Sequence, residues 1–486
     1  MASIIGLDIG TNSIKAMLIE DSKILKQQSV AYSPDFLGNG FIEQDPEVWW
    51  IATKKAIKAL LQGYGGSITA LAASGQMHSS VFLDDGGHVI RPSILWNDTR
   101  TTKEVSQIIE NVGNEKLLSL VYNKALEGFT LTKILWLKNN EPQNFAKLSK
   151  VIMPKDYINY MLTGVIATDI SDASGTLALD IEKGCWNNEL LQILDISSGI
   201  FPKVLESTAV VGNIKPNLVS ELGLRETTKV IAGGADNSCA AIGNGVVALG
   251  QAVISIGTSG TVVAKLDTVP KNLTGDVHFF NYSYPQSYYA MGCMLCAGES
   301  LNWLKDILNV KDFEDFNSMA KLSNTGSNGI IFLPYLFGER CPVSDPNARG
   351  MFFGLSATTT KNDIVRSVME GVAFNIRAMF ELVQDFTTTD KIYITGGGAK
   401  SDIWGQIISD ILNCPINVLN IEEGPAFGAA LIAGVGAGVY KSFETITDSF
   451  LRVQKTIEPT KNDIYNKQYG IFKRLYYANK DLFKGV

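Results

Sequence analysis

The sequence is poor in histidine and cysteine. Three histidines, His78, His88 and His278, are spread through 486 residues. Six cysteines are too few for a disulfide framework at this size, and only Cys293 and Cys296 lie close together. No second cysteine pair and no histidine at ligand spacing accompanies them, so apolar packing is the expectation for both. A basic excess is missing as well. Forty-two lysines and arginines stand against 49 aspartates and glutamates, a net charge of -7. That balance argues against a nucleic-acid binder. The longest uncharged apolar stretch, residues 424–440, is rich in glycine and alanine and slightly short for a bilayer. The chain turns directly into a strand pattern without a basic leader, which predicts a cytoplasmic protein with no membrane partner. Gly-x4-Gly-Lys-Ser/Thr is absent, which excludes a P-loop protein, and so is an opening Gly-x-Gly-x-x-Gly, which weakens a dinucleotide reading.

What remains is a chain with 45% hydrophobic and 19% charged residues, enough to bury a large core. Residues 4–10 are an apolar run ending in glycine and read as a buried strand. Thr11-Asn12-Ser13 makes the turn into a second strand over 14–19. Asp45-Pro46-Glu47 is a helix start, with Asp as cap and Pro at the first helical position. Val48, Ile51, Ala52, Ile57, Leu60 and Leu61 form its expected apolar face. Residues 68–73 give the next strand, ending at Ser74-Gly75-Gln76-Met77-His78. Strands alternating with helices predict α/β layers. Ile256-Gly257-Thr258 repeats Ile9-Gly10-Thr11, about half a chain later, again between two apolar strands. The repeat suggests a duplicated domain with a cleft between the copies and a boundary near Asn244-Gly245. The tail from Asn462 to Lys484 reads as a surface helix.

Glycine turns after strands suit phosphate, because backbone N–H groups approach an oxyanion only where no side chain intrudes. There are three: Gly10-Thr11-Asn12, Gly257-Thr258-Ser259 and Gly396-Gly397-Gly398. A tight turn explains any one alone; together they suggest a polyphosphate ligand. Asp8 stands in an otherwise apolar strand, where a carboxylate is costly unless a cation or hydrogen bonds compensate it. A nucleotide-borne Mg2+ would supply that charge. Asp236 ends the strand pattern of 230–235, where α/β clefts bind ligands, and could take a proton from a substrate hydroxyl. It equally suits a cap for the helix that follows. His78, in Gln76-Met77-His78-Ser79, is placed to hydrogen-bond a polyol, and Trp96 in Trp96-Asn97-Asp98-Thr99-Arg100 offers the flat surface that sugar sites use.

Two long segments then carry a resemblance. Gly128-Phe129-Thr130-Leu131-Thr132-Lys133, continuing to Asn140, is one. Gly350-Met351-Phe352-Phe353-Gly354-Leu355, with Asp363-Ile364 and Ser367-Val368-Met369-Glu370, is the other. The chain resembles the FGGY carbohydrate kinases over nearly its whole length. Ser74 to His78, Pro154-Lys155-Asp156-Tyr157, Ser171 to Thr176 and Pro334 to Arg340 are most similar to members acting on the ketopentose D-xylulose.

The resemblance implies an α/β fold of two actin-like (ribonuclease H-like) ATPase domains flanking a catalytic cleft. It implies ATP and Mg2+ as cofactors, a small-molecule sugar as partner, and allows a homodimer. The implied division is 1–244 for the sugar side and first phosphate loop, 245–440 for the nucleotide side, and 441–486 for a helical segment. It puts Asp8 at the Mg-phosphate centre, and Thr11 and Asn12 in the first phosphate loop. Gly257 and Thr258 would lie in the second, Gly397, Gly398 and Ala399 beside the nucleotide, and Phe427 near the adenosine. Gln76, Met77, His78, Trp96, Asp236 and Asn237 would line the sugar site, with Asp236 as catalytic base. Ser79 departs from the glycine usual after Met-His, and Cys341 from a threonine. Members acting on gluconate often carry Met-His-Ser; a gluconate carboxylate would need a basic partner, for which Arg100 and Lys155 are the candidates.

Overall fold

Two twisted sheets repeat one strand order. The computed structural model describes residues 2–271, 273–421, 424–460 and 463–485. The first sheet is built from β1 (Ser3–Ile9), β2 (Ser13–Glu20), β3 (Lys23–Ala31), β4 (Ile68–Gly75), β5 (Val210–Asn213) and β6 (Lys229–Ala235). Its order is β5-β6-β4-β1-β2-β3. The second sheet is built from β7 (Gly250–Ile256), β8 (Gly260–Leu266), β9 (His278–Asn281), β10 (Tyr288–Met294), β11 (Thr389–Thr395), β12 (Ile416–Leu419) and β13 (Val453–Ile457). Its order is β9-β10-β8-β7-β11-β12-β13.

The hairpin β1-β2 is antiparallel and β1 pairs in parallel with β4, which pairs in parallel with β6. In the second sheet β7-β8 is antiparallel, and β7, β11 and β12 run parallel in the same succession. The Ile-Gly-Thr repeat therefore marks a structural repeat. Thr11 and Thr258 sit in the turns after equivalent strands.

Strand β1 shows why an apolar run with period two can still be buried on both faces. Ile5, Leu7 and Ile9 point into one core, shared with α1 (Pro46–Leu61). Ile4 points into the other. Gly6 lies on that second face, where a Cβ would stand 2.0 Å from the Ala426 carbonyl oxygen. The close approach comes from a helix of the second half of the chain, Pro425–Gly436, which packs on β1 and β4 of the first sheet. Among the helices between these points are α2 (Thr130–Asn140), α3 (Pro154–Thr163), α4 (Asp236–Gly243), α5 (Lys361–Gln384) and α6 (Asp402–Leu412); Pro425–Gly436 is α7 and Asp463–Asn479 is α8.

Helix α1 starts as expected, with the Asp45 carboxylate accepting from the Glu47 N–H. Its buried face is rotated from the expected one. Trp49, Trp50, Ala52, Ala56, Ile57 and Leu60 are buried, while Ile51 is exposed and Val48 half-buried. Two indoles offer more apolar area than Val48 and Ile51 and take the core side. The tail also differs. Asn462 lies outside the described residues, but α8 buries Tyr465, Tyr469, Phe472, Leu475 and Tyr476 in the second core. No helix among the described residues is long and apolar enough to cross a membrane.

Candidate active site

The parallel strands β1, β4 and β6 run side by side in the first sheet. Their C-terminal ends therefore bring Asp8, Gln76-Met77-His78 and Asp236 together from distant parts of the sequence. Asp236 opens α4 and stays partly open to the cleft. Its Oδ1 accepts from the Asn237 backbone N–H at 2.7 Å and from Asn237 Nδ2 at 3.0 Å. Asn237 Nδ2 also reaches the Met77 sulfur at 3.8 Å, and the Tyr289 hydroxyl approaches that sulfur at 3.6 Å. Desolvation first, and then the negative charge of Asp8, push the Asp236 carboxyl up to about 7, against the pull of N–H donors from Asn237 and Met77. A carboxyl held there is a base poised near neutral pH.

His78 adopts a left-handed backbone, φ 69°, unusual for a residue with a side chain. Thr130 Oγ1 and Lys133 Nζ of α2 donate to its carbonyl oxygen at 3.0 and 2.9 Å and fix that turn. Lys133 also donates to Gly128 at 2.7 Å. Those residues of the first long motif thus hold the histidine in place. The His78 ring donates from Nδ1 to the Gly175 carbonyl at 2.5 Å, which leaves Nε2 as an acceptor. Burial drives its pKa down to about 3, so the ring is neutral. Phe129 packs edge-on against it at 4.8 Å, and Phe280 and His278 complete an aromatic wall.

A closed ring of hydrogen bonds joins the first glycine turn to this wall. Trp96 Nε1 donates to Thr11 Oγ1 at 3.0 Å, and Thr11 donates to Gln76 Oε1 at 3.4 Å. Ser79 donates to the same Gln76 oxygen at 3.1 Å and accepts from the Trp96 backbone N–H at 3.0 Å. Ser79 is fully buried. Its hydroxyl is therefore used within the protein scaffold. Gln76 Nε2 and Asn97 Oδ1 are buried without protein partners among the described residues. Buried polar atoms of this kind ask for a polar ligand or water.

The second glycine turn and the glycine triplet border a separate cavity of about 580 Å3. Gly257, Thr258, Gly397 and Gly398 line it, together with Phe313, Asn317, Ser401 and Trp404. Backbone amides on one side and aromatic surface on the other suit a nucleotide. Ala399 packs partly against the second core. Asn12 is exposed on the first turn. Phe427 does not reach this cavity. It is fully buried in α7, edge-on to Phe450 at 5.2 Å. Its helix faces the first sheet, and an aromatic side chain there fills core.

Sequence models of the FGGY family of carbohydrate kinases match residues 3–243, for the N-terminal domain, and 252–437, for the C-terminal domain. The chain belongs to the FGGY family of carbohydrate kinases. Among its FGGY relatives, the xylulose kinase of Staphylococcus xylosus is 38% identical over 98% of this chain and 100% of that protein. The solved structure of ligand-bound xylulose kinase from Lactobacillus acidophilus is similar at a TM-score of 0.95, with 29% identity and full coverage of both chains. A gluconate kinase structure from the same organism is similar at a TM-score of 0.93, with 29% identity and 98% coverage of each chain.

The gluconate alternative asked for a free cation, and neither candidate is free. Arg100 is bound by Asp98 at 2.7 Å and Glu43 at 2.7 Å, and stacks over Phe41. Lys155 is fully buried among Asp156, Asp169 at 2.8 Å and Asp172 at 3.6 Å. Both cations are committed to the scaffold of this FGGY kinase. Sequence reasoning missed the parts of the site that act through neighbours: Thr130, Lys133, Tyr289, Phe280, His278 and the cavity residues Phe313, Asn317 and Ser401. Thr130 and Lys133 carried a signal, since they lie in the first long motif. The others reach the site only through tertiary contacts.

Proposed function

We propose that this kinase transfers the γ-phosphoryl group of ATP to the terminal hydroxyl, O5, of D-xylulose. The carrying observation is Asp236, a desolvated carboxyl pushed up to about 7 beside the Met77-His78 wall. Full-length likeness to xylulose kinases supports the acceptor. O5 attacks the γ-phosphorus while its proton passes to the Asp236 carboxylate. The bond from the γ-phosphorus to the bridging oxygen breaks, and its electron pair leaves with ADP. Phosphoryl transfer asks the protein mainly for positioning and charge neutralisation. His78 Nε2 accepts a sugar hydroxyl, Trp96 covers an apolar sugar face, and Gln76, Met77 and Asn237 complete the wall. Thr11, Asn12, Gly257 and Thr258 carry the phosphate loops, and Gly397 and Gly398 border the nucleotide.

The negative charge of Asp8 raises the Asp236 carboxyl, which places the two close together. Among the described residues no group of three or more His, Cys, Asp or Glu is fit to hold a metal alone. This fits a Mg2+ that shares one carboxylate, Asp8, with nucleotide phosphates. Bound there, the ion would neutralise charge on the transferring phosphoryl group. In this reading 1–244 is the sugar side and 245–440 the nucleotide side; 441–486, expected to be helical, also supplies β13, the edge strand that completes the second sheet.

The test is ADP release with ATP and Mg2+ against D-xylulose, D-ribulose, L-ribulose, gluconate and glycerol. D-xylulose should dominate. Asp236→Ala should lower its turnover about 100-fold or more, the scale of a lost general base. A dominant gluconate rate overturns the acceptor, and near-normal turnover in the variant removes Asp236 from its role.

A further inference from the structure

One cation at the sugar wall forms no salt bridge and serves no carbonyl among the described residues. It is Arg340, whose guanidinium lies 6.0 Å from the Trp96 ring centre. Its charge is felt by His78, His278 and Lys133, and its side chain hydrogen-bonds Cys293 of β10. The other cations nearby are committed. Lys133 serves two carbonyls, Arg100 and Lys155 serve carboxylates, and Lys124 faces Asp276 at 3.5 Å. His78 and His278 are both neutral, with pKa values driven down to about 3 and about 4 by burial.

The loop that carries Arg340 is anchored. The Glu339 carboxylate accepts the Arg340 backbone N–H at 2.7 Å, the Leu295 N–H at 3.0 Å and Asn375 Nδ2 at 3.2 Å. Glu339 and Asp345 exchange backbone hydrogen bonds at 2.9 and 2.8 Å across the same loop. Arg340 comes from the second half of the sequence and Trp96 from the first, so the guanidinium brings a charge from one half against the indole of the other.

The site therefore combines two unlike charged groups, both felt by Cys293. Asp236, when ionised, only accepts hydrogen bonds, and a guanidinium only donates them. A hydroxyl satisfies either. A carbonyl oxygen satisfies only the donor. In its acyclic form D-xylulose carries one such group, the C2 carbonyl, at the end of the molecule remote from O5. We infer that Arg340 is a specificity-determining residue that donates to the C2 carbonyl oxygen of the ketose and so separates a ketose from the corresponding polyol. The inference rests on the D-xylulose reading given above. A donor-only group left facing a hydroxyl gains less than one facing a carbonyl, because the hydroxyl proton must be turned away and its own donor left elsewhere.

The test compares D-xylulose with xylitol, its C2-reduced counterpart. The unaltered enzyme gives KM for D-xylulose and, against it, the inhibition constant of xylitol. Arg340→Leu should raise KM for D-xylulose about 10- to 100-fold, the scale of a lost charged hydrogen bond. The xylitol constant should move at most about threefold, and KM for ATP should stay unchanged. Arg340→Lys, which keeps a donor-only cation, should recover part of the preference and shows that the loop still folds. An equal loss for D-xylulose and xylitol, or a rise in KM for ATP, overturns the inference, as does full preference in Arg340→Leu. Absence of D-xylulose phosphorylation by the unaltered enzyme is a separate failure, of the acceptor assignment itself.

Discussion

Asp236 shows how one side chain sets opposing demands on stability and catalysis. In the unfolded state its carboxyl titrates near 3.8, and in the folded protein it is pushed up to about 7. The folded state binds that proton more tightly. Its contribution to stability is therefore complete below about pH 4 and is lost as the pH rises through 7. As the proposed base it must act in the opposite, ionised form, so kcat/KM should climb through an acid limb near pH 7. Asp236→Asn should lose most turnover yet resist urea better than the parent at pH 8, by about 1–3 kcal/mol, with the gain vanishing near pH 4. A variant weakened equally at both pH values would remove the raised carboxyl as the cause. Ser79 makes a related point. Read beside Met77-His78 alone, it points towards gluconate; in the fold its hydroxyl is shared between Gln76 and Trp96.

The contact between α4 and α7 is made without intervening side chains. A Cβ at Gly428 would lie 1.8 Å from the Cys239 carbonyl oxygen, inside the backbone of the helix that begins with Asp236. Gly428→Ala must therefore push α4 and α7 apart. Overpacking of this kind costs about 1–3 kcal/mol. The expected result is a lower thermal midpoint together with reduced turnover, since α4 carries Asp236, the proposed base; unchanged melting would show that the helices separate freely. The same helix, α7, lies against Gly6 of β1. It thereby links the second half of the sequence to the strand that ends beside the first phosphate turn. Helix α2 is an element with a comparable role: it spends Thr130 and Lys133 on one carbonyl, that of the strained His78.

Across the whole molecule, the sugar wall and the nucleotide cavity belong to sheets of matching order, and groups from both halves face the space between. Trp96 is tied to Thr11 of the first turn, and Arg340 of the second half faces Trp96. We predict that ligands bound on both sides favour one common closed state. D-xylulose at about 100 times its Kd should stabilise the fold by about 2.7 kcal/mol. D-xylulose and ADP together should raise the melting temperature by more than the sum of the two alone. A strictly additive shift would show that the sites do not communicate through closure.

The sequence by itself determined the repeated hairpins, the strand ends that carry Asp8, His78 and Asp236, and the family. These are local facts: period-two apolar runs make strands, glycine allows a backbone turn near phosphate, and a lone carboxylate in such a run must be compensated. It also placed the start of α1. Only the tertiary structure decided which face of α1 is buried, because Trp49 and Trp50 compete with Ile51 for the same core. It moved Phe427 into the core and made α8 an aromatic-faced part of the second lobe. It also decided what each long cation does. Arg100, Lys133, Lys155 and Arg340 choose partners from segments far away in the sequence, and spacing along it carries no record of that choice. Three of them are neutralised or fixed within the scaffold. The fourth, Arg340, faces Trp96 and is proposed to take a substrate oxygen as its partner.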